Sequence, residues 1–326
     1  MSKYANTSAV PLSLAIFLAT DNYDHNPDSN TFSATALIKP VRQLVLSARV
    51  PEDLSPVDLV NLVPSRMGTA IHDAIERSWK DNHKPAMAAL GYPKRVIDKI
   101  KINPQPHELT DGAIPVYMEQ RAHKKVGKFT VSGKYDFIGD GRVEDFKSTS
   151  TYTAMNNTND EKYIWQGSIY RWLNPVIITK DEIAIQFIFT DWSKAKAMQD
   201  PKYPQQRIMQ RILPLKSVQE TDAFVNRKLA QIEQYWEAPE DKLPLCTDSD
   251  LWRSEPVFKY YKNPDSTKRS TKNFDNRHDA QLRYIEDGSV GKVVEQPGQV
   301  TACKYCPAFA VCSQKDALIA SGDLVL

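Results

Sequence analysis

The part of this chain that most restricts its fold lies between Ile114 and Ser148, where apolar residues recur with a period of two. Ile114–Gln120, Phe129–Ile138 and Arg142–Ser148 read as three strands. Gly139-Asp140-Gly141 joins the last pair as a tight hairpin, because glycine and aspartate accept the positive φ values of such turns. A helix over about Glu161–Leu173 follows, stopped by Asn174-Pro175, and then a strand over Glu182–Thr190. Upstream, a helix with Ser65 as its N-cap carries Met67, Ala70, Ile71, Ala74, Ile75 and Trp79 in one buried stripe. Helix, three strands, helix and strand in this order predict an α/β fold, with a mixed central sheet flanked by helices.

Three regions follow from the same reading. Residues 1–60 form an N-terminal helical accessory segment, with a polar break from Asp21 to Asn30 and a helix over about Thr35–Arg49 interrupted at Pro40. Residues 61–238 form the core and close with an amphipathic helix, Ser217–Trp236. Residues 239–326 are a polar, loop-rich tail that holds every cysteine. With 42 Lys and Arg against 40 Asp and Glu, the chain is not a basic coat protein, so any nucleic-acid site must be a local patch. The longest apolar run, Val10–Ala19, is too short for the roughly 20 residues of a membrane span. Pro11 at its start and a single lysine ahead of it argue against a signal peptide. Three of the four cysteines crowd near the C-terminus, which is metal-ligand spacing in a reduced compartment rather than a pair of disulfides.

The chemistry concentrates in Gly133-Lys134-Tyr135-Asp136 and, across the hairpin, Val143-Glu144-Asp145-Phe146-Lys147. Strand alternation puts Asp145 and Lys147 on one face and Glu144 and Phe146 on the other, with Asp136 on the neighbouring strand. Converging carboxylates repel unless a cation sits between them, and Mg²⁺ or Mn²⁺ meets that need. The bland reading of the same residues is a solvated hairpin with a surface ion pair. His72 at the rim of the Ser65 helix reads as a structural histidine or, beside the acids, as a third ligand. Glu119 on the preceding strand assists the metal or is simply exposed. Gln166 and Tyr170, four apart on one helical face, look back toward the site or form a surface hydrogen-bonding pair.

The order H, G-x-x-D, D-x-K, Q-x-x-x-Y resembles the RecB-like branch of the PD-(D/E)XK nuclease superfamily. Within it, the chain is similar to CRISPR-associated and AddB-type members that carry an iron–sulfur cluster. The resemblance covers roughly residues 65–190 and the cysteine tail. It implies that His72, Asp136, Asp145 and the Phe146 carbonyl hold the divalent metal, that Lys147 is the catalytic lysine, and that Gln166 and Tyr170 orient substrate. Cys303, Cys306 and Cys312 form C-x₂-C-x₅-C, with Cys246 far upstream. Four thiolates suit a tetrahedral Zn²⁺ or a [4Fe–4S] cluster, and ligand identity alone does not separate the two. The resemblance implies the cluster, although the CRISPR-associated members place their solitary cysteine before the core and this chain places it after.

Between Phe258 and Arg277, the basic Lys259, Lys262, Lys268, Arg269, Lys272 and Arg277 interleave with Phe258, Tyr260, Tyr261 and Phe274, a composition suited to single-stranded nucleic acid or, more simply, to a solvated basic loop. Lys124, Lys125 and Lys128 form a second basic set in the turn before the hairpin. No phosphate-cradling G-x-x-x-x-G-K-[ST] occurs, so a helicase or recombinase partner would be another chain. The expectation is a divalent-metal-dependent DNA exonuclease acting on single strands or DNA ends in recombination, repair or replication. The resemblance implies a cytoplasmic setting in a bacterial cell or a phage-infected host. A catalytically silent nucleic-acid-binding module and a restriction-type endonuclease are the rival readings.

Overall fold

The structure is a computed structural model that describes residues 4–21, 28–51, 57–110, 112–266 and 268–326. Residues 22–27 of the polar break and the lysine ahead of the apolar run lie outside the described residues. In chain order the elements are β1 (Tyr4–Ala5), α1 (Leu12–Ala19), β2 (Thr31–Ser33), α2 (Ala34–Leu37), α3 (Val41–Ser47), β3 (Val57–Asp58), α4 (Val63–Ala89) and α5 (Lys94–Ile97). There follow β4 (Ile100–Ile102), β5 (Ile114–Met118), β6 (Arg121–Val126), β7 (Phe129–Lys134), β8 (Phe137–Gly139), β9 (Arg142–Thr149), α6 (Thr151–Met155) and α7 (Asp160–Leu173). The chain continues through β10 (Glu182–Phe189), α8 (Lys194–Gln199), β11 (Ile208–Pro214) and α9 (Val218–Tyr235). It ends with β12 (Val257–Tyr261), β13 (Lys272–Phe274), α10 (Arg277–Glu286), β14 (Lys292–Gln296) and α11 (Ser313–Ala320). Two compact units result, one of Met1–Ile38 with Pro56–Ala230 and one of Lys39–Ser55 with Gln231–Leu326.

The first unit is built on a mixed six-stranded sheet of order β11-β10-β9-β8-β5-β4. β9 pairs parallel with β10, β4 parallel with β5, and the remaining pairs are antiparallel. Ile75 and Trp79 of α4 cover one face, against Ile100, Val116, Met118, Phe137 and Phe146. α7 covers the other, where Tyr163 meets the Phe187 ring edge-on at 6.2 Å. α9 backs α7 through the stacked rings of Trp165 and Phe224 and through Trp172 Nε1, which donates to Asp222. The β8–β9 turn is Asp140-Gly141, both at positive φ, as a two-residue hairpin requires.

The expected strand Phe129–Ile138 divides, and the division positions the site. β7 belongs to a separate three-stranded sheet, β2-β7-β6, whereas β8 belongs to the central sheet. Asp136 is the residue at the crossing. Its carboxylate accepts the Phe146 N–H, so a side chain ends the β8–β9 ladder. Glu119 lies just past the end of β5 at φ 51° rather than on it. β6 occupies a segment read above as a turn, so Lys124 and Lys125 are on a strand and Lys128 is in the following turn. α4 begins at Val63, ahead of Ser65, because Pro64 suits a first helical turn. Its stripe is only half-buried, and Met67 is exposed. No helix among the described residues is long and apolar enough to cross a membrane.

In the second unit, Val41, Val45 and Leu46 of α3 pack with Leu243 and Ala308, so segment 39–55 groups with the C-terminal residues. The tail read as loop-rich contains an antiparallel sheet of order β13-β12-β14. Its core residues include Phe258, Tyr260 and Tyr261.

Gly133 on β7 is a point of close approach, since a Cβ there would lie 2.7 Å from Leu173 Cδ1 and 3.0 Å from Tyr170 Cδ1. Gly133→Ala should therefore cost about 1–3 kcal/mol of stability through overpacking, read from the midpoint of denaturant unfolding at unchanged slope. A variant as stable as the parent would show that α7 can retreat from β7.

Candidate functional site

Backbone hydrogen bonds place the acidic groups before side-chain chemistry enters. The Glu119 N–H donates to the Asp136 carbonyl at 3.2 Å, and the Tyr135 N–H to the Gln120 carbonyl at 3.3 Å. Tyr135, fully buried, also donates its hydroxyl to Gln120. These bonds tie the end of β5 to the β7–β8 crossing, so Glu119 and Asp136 face one another. α4 adds His72, whose Nε2 lies 3.0 Å from the Phe146 carbonyl. His72 Nδ1 lies 3.4 Å from Asp136 Oδ1 and 3.8 Å from Glu119 Oε1. His72, Glu119 and Asp136 offer ligand atoms all within 4.8 Å of one another, a group that could hold a metal ion.

Asp145, Lys147, Gln166 and Tyr170 also meet. Asp145 is buried, with Oδ2 2.5 Å from Lys147 Nζ and Oδ1 accepting from Gln166 Nε2 at 2.8 Å. Gln166 donates in addition to the Tyr170 hydroxyl at 2.9 Å. Both residues of that pair are buried. Glu144 points away from this group, toward Arg142 and Gln186. Lys134, quoted above without a role, is a further member, with Nζ 2.5 Å from Glu119 Oε2. Its position two residues before Asp136 was the available signal, since alternate strand residues share a face.

Burial disfavours charge on His72, yet the adjacent Asp136 and Glu119 carboxylates outweigh it and push the imidazole up to about 10. Burial pushes Asp145 up to about 6, against the pull of Lys147. Lys147 is itself raised, because Asp145 and Asp136 more than offset its own burial, so it is an ammonium. The donor set fits a hard divalent cation: carboxylates, one imidazole and a carbonyl. His72 Nε2 and the Phe146 carbonyl, 3.0 Å apart, are hydrogen-bond partners.

The four cysteines are free thiols in the second unit. Among the described residues, no three of them offer sulfur atoms all within 4.8 Å of one another. Burial, then Asp250 and the neighbouring Cys312 and Cys306, push the Cys246 thiol up to about 12. Buried Arg42 of α3, which composition and spacing did not single out, donates Nε to Cys312 Sγ at 3.4 Å. Lys268, Arg269 and Lys272 are exposed, as are Lys124, Lys125 and Lys128. Tyr260 and Tyr261 correct the expectation of base stacking. Both rings are buried, and the Tyr260 hydroxyl donates to the Val290 carbonyl; Tyr260 shares the Phe258 face of β12, and Tyr261, the next residue, is covered on the other face.

No family model matches the chain, and no curated protein matches it. Among solved structures the chain is similar to SSO0001, with a TM-score of 0.40 and 14% identity over 68% of this chain and 87% of that one. It is also similar to a phage related exonuclease from Haemophilus somnus 129PT. There the TM-score is 0.26 and the identity 16%, over 37% of this chain and 60% of that one.

A metal that takes His72 as ligand must displace its proton, since a cation and an imidazolium cannot share one site. Asp145 is mostly ionised by pH 7, so one proton, that of His72, leaves on binding. Mn²⁺ affinity, measured calorimetrically, should therefore rise about tenfold per pH unit between about pH 7 and 8.5, and the slope should vanish in His72→Gln. A slope unchanged by that substitution would place the proton, and the ligand, elsewhere.

Proposed function

We propose that this chain is a divalent-metal-dependent deoxyribonuclease, acting as an exonuclease on single-stranded DNA or DNA ends. One observation carries the reading: His72, Glu119 and Asp136 converge beside an Asp145–Lys147 pair that Gln166 and Tyr170 hold in place. Mg²⁺ or Mn²⁺, when bound, supplies Lewis acidity at the phosphate and a more acidic water. His72, Asp136, Asp145 and the Phe146 carbonyl would hold it, with Glu119 assisting. Lys147 directs its ammonium N–H groups at the attacking water and the phosphate oxygens. As water adds to phosphorus, the bond to the leaving nucleoside oxygen breaks. Gln166 keeps Asp145 aimed by donating to the oxygen that Lys147 does not use.

The first unit is the nuclease core in this proposal, and Lys124, Lys125 and Lys128 on its exposed basic strand and turn grip the DNA backbone. Lys268, Arg269 and Lys272 are the second unit's own exposed basic set, suited to phosphate. Cys246, Cys303, Cys306 and Cys312 would hold a [4Fe–4S] cluster. Thiols raised by burial, and by the neighbouring thiols, deprotonate when a cation joins them. The protein would work in the cytoplasm in recombination, repair or replication, with a helicase or recombinase on another chain.

Purified protein with Mn²⁺ should shorten end-labelled linear DNA and leave closed circles intact. Discrete cuts in the circle would assign a restriction-type endonuclease, and binding without cleavage a silent module. Lys147→Ala and Asp145→Asn should each lower turnover at least about a hundredfold, while Glu144→Gln leaves it unchanged. Activity within about tenfold of the parent in Lys147→Ala removes that lysine from the mechanism.

Anaerobically purified protein should be brown, and replacing any one of the four cysteines with Ser should bleach it and lower its melting temperature. A colourless parent with one equivalent of zinc would replace the cluster, and a colourless, metal-free parent would remove both.

A further inference from the structure

We propose that Lys134 is a positioning residue that occupies the place of a second divalent cation, so that this centre takes one metal ion per chain. The inference rests on the metal-centre reading above and adds its stoichiometry. Three acids and three bases meet here: Asp136 faces His72, Asp145 pairs with Lys147, and Glu119 pairs with Lys134. His72 Nδ1 and Asp136 Oδ1, 3.4 Å apart, would hold the one ion together with Asp145. Glu119 remains, with one oxygen on Lys134 and the other facing His72 at 3.8 Å.

Glu119 has little freedom to leave. Its side chain is 11% exposed, its backbone sits at φ 51°, and its N–H is bonded to the Asp136 carbonyl. A pinned, largely buried carboxylate beside a second carboxylate is what a two-ion centre requires, since such centres set their cations about 3.5–4 Å apart on shared acids. The Lys134 ammonium neutralises that carboxylate with a single charge. It has no lone pair to give and no open coordination position, so it satisfies Glu119 without polarising a substrate. The tether fixes it there: Lys134 ends β7, two residues before Asp136 at the β7–β8 crossing, and its Nζ lies 2.5 Å from Glu119 Oε2.

The test is Mn²⁺ binding to the full chain at fixed pH, counted by the electron paramagnetic resonance of free Mn²⁺. The parent should bind one ion per chain and Lys134→Met two. Lys134→Arg, which keeps the charge, should bind one. Lys134→Met combined with Glu119→Gln should return to one, which assigns the extra ion to Glu119. If Lys134→Met does not fold, Lys134→Gln is read in the same way. A parent that binds two ions, or a folded Lys134→Met or Lys134→Gln that still binds one, overturns the proposal. A parent that binds none overturns the metal-centre reading itself, which is a different result.

Discussion

The backbone of Phe146 is the fixed point of the candidate site. Its N–H is taken by the Asp136 carboxylate and its carbonyl lies against His72, while its ring packs among the residues that seat α4 on the sheet. One residue in the middle of β9 thus joins the crossing between two sheets, a helix from the N-terminal half and the strand that bears Asp145 and Lys147. Moving β9 by one position would exchange the two faces, sending Asp145 into the apolar layer and Phe146 toward the acids. The register with β10, in which Asp145 lies beside Ile185 and Lys147 beside Phe187, resists that slip because both neighbours are fully buried.

Charge balance is the second constraint. Three carboxylates within a partly buried space cannot remain ionised unless compensated, because desolvation and mutual repulsion both favour the protonated acids. His72, Lys134 and Lys147 supply the compensation one for one. The bases also differ in how easily each is replaced by a metal. The imidazolium can shed its proton and become a ligand, whereas the two ammonium groups stay charged and act by position.

The second unit solves a different problem. Its three-stranded sheet and two small apolar clusters are modest, and its thiols lie among them rather than at the surface. Arg42 uses its whole guanidinium here, bonding the Glu240 and Leu243 carbonyls, the Glu240 carboxylate, the Ser313 hydroxyl and the Cys312 sulfur. A buried arginine with every donor occupied is costly to disturb, so the cysteine that opens α11 is held from a helix roughly 270 residues earlier in the chain.

Local chemistry determined much of this protein from the sequence alone. Period-two spacing and the Asp140-Gly141 turn defined the β8–β9 hairpin, and alternation along β9 separated Asp145 and Lys147 from Glu144. The four-residue interval from Gln166 to Tyr170 set both on one side of α7. Each of these depends on contacts within a few residues, which is why it could be read. Tertiary structure decided what depends on distant partners. Phe129–Ile138 reads as one strand until Asp136 meets the Phe146 N–H, because only then does a side chain replace the ladder. Tyr260 and Tyr261 read as stacking groups until β12 takes the centre of its sheet, with α10 packed against it, and both rings are buried. Lys134 offers only its two-residue interval from Asp136 as a signal, and its pairing appears when the end of β5 turns back and presents Glu119 to it. Segment 39–55 reads as part of an N-terminal accessory until its apolar face finds Leu243 and Ala308, since amphipathic spacing states that a face is buried but not against what.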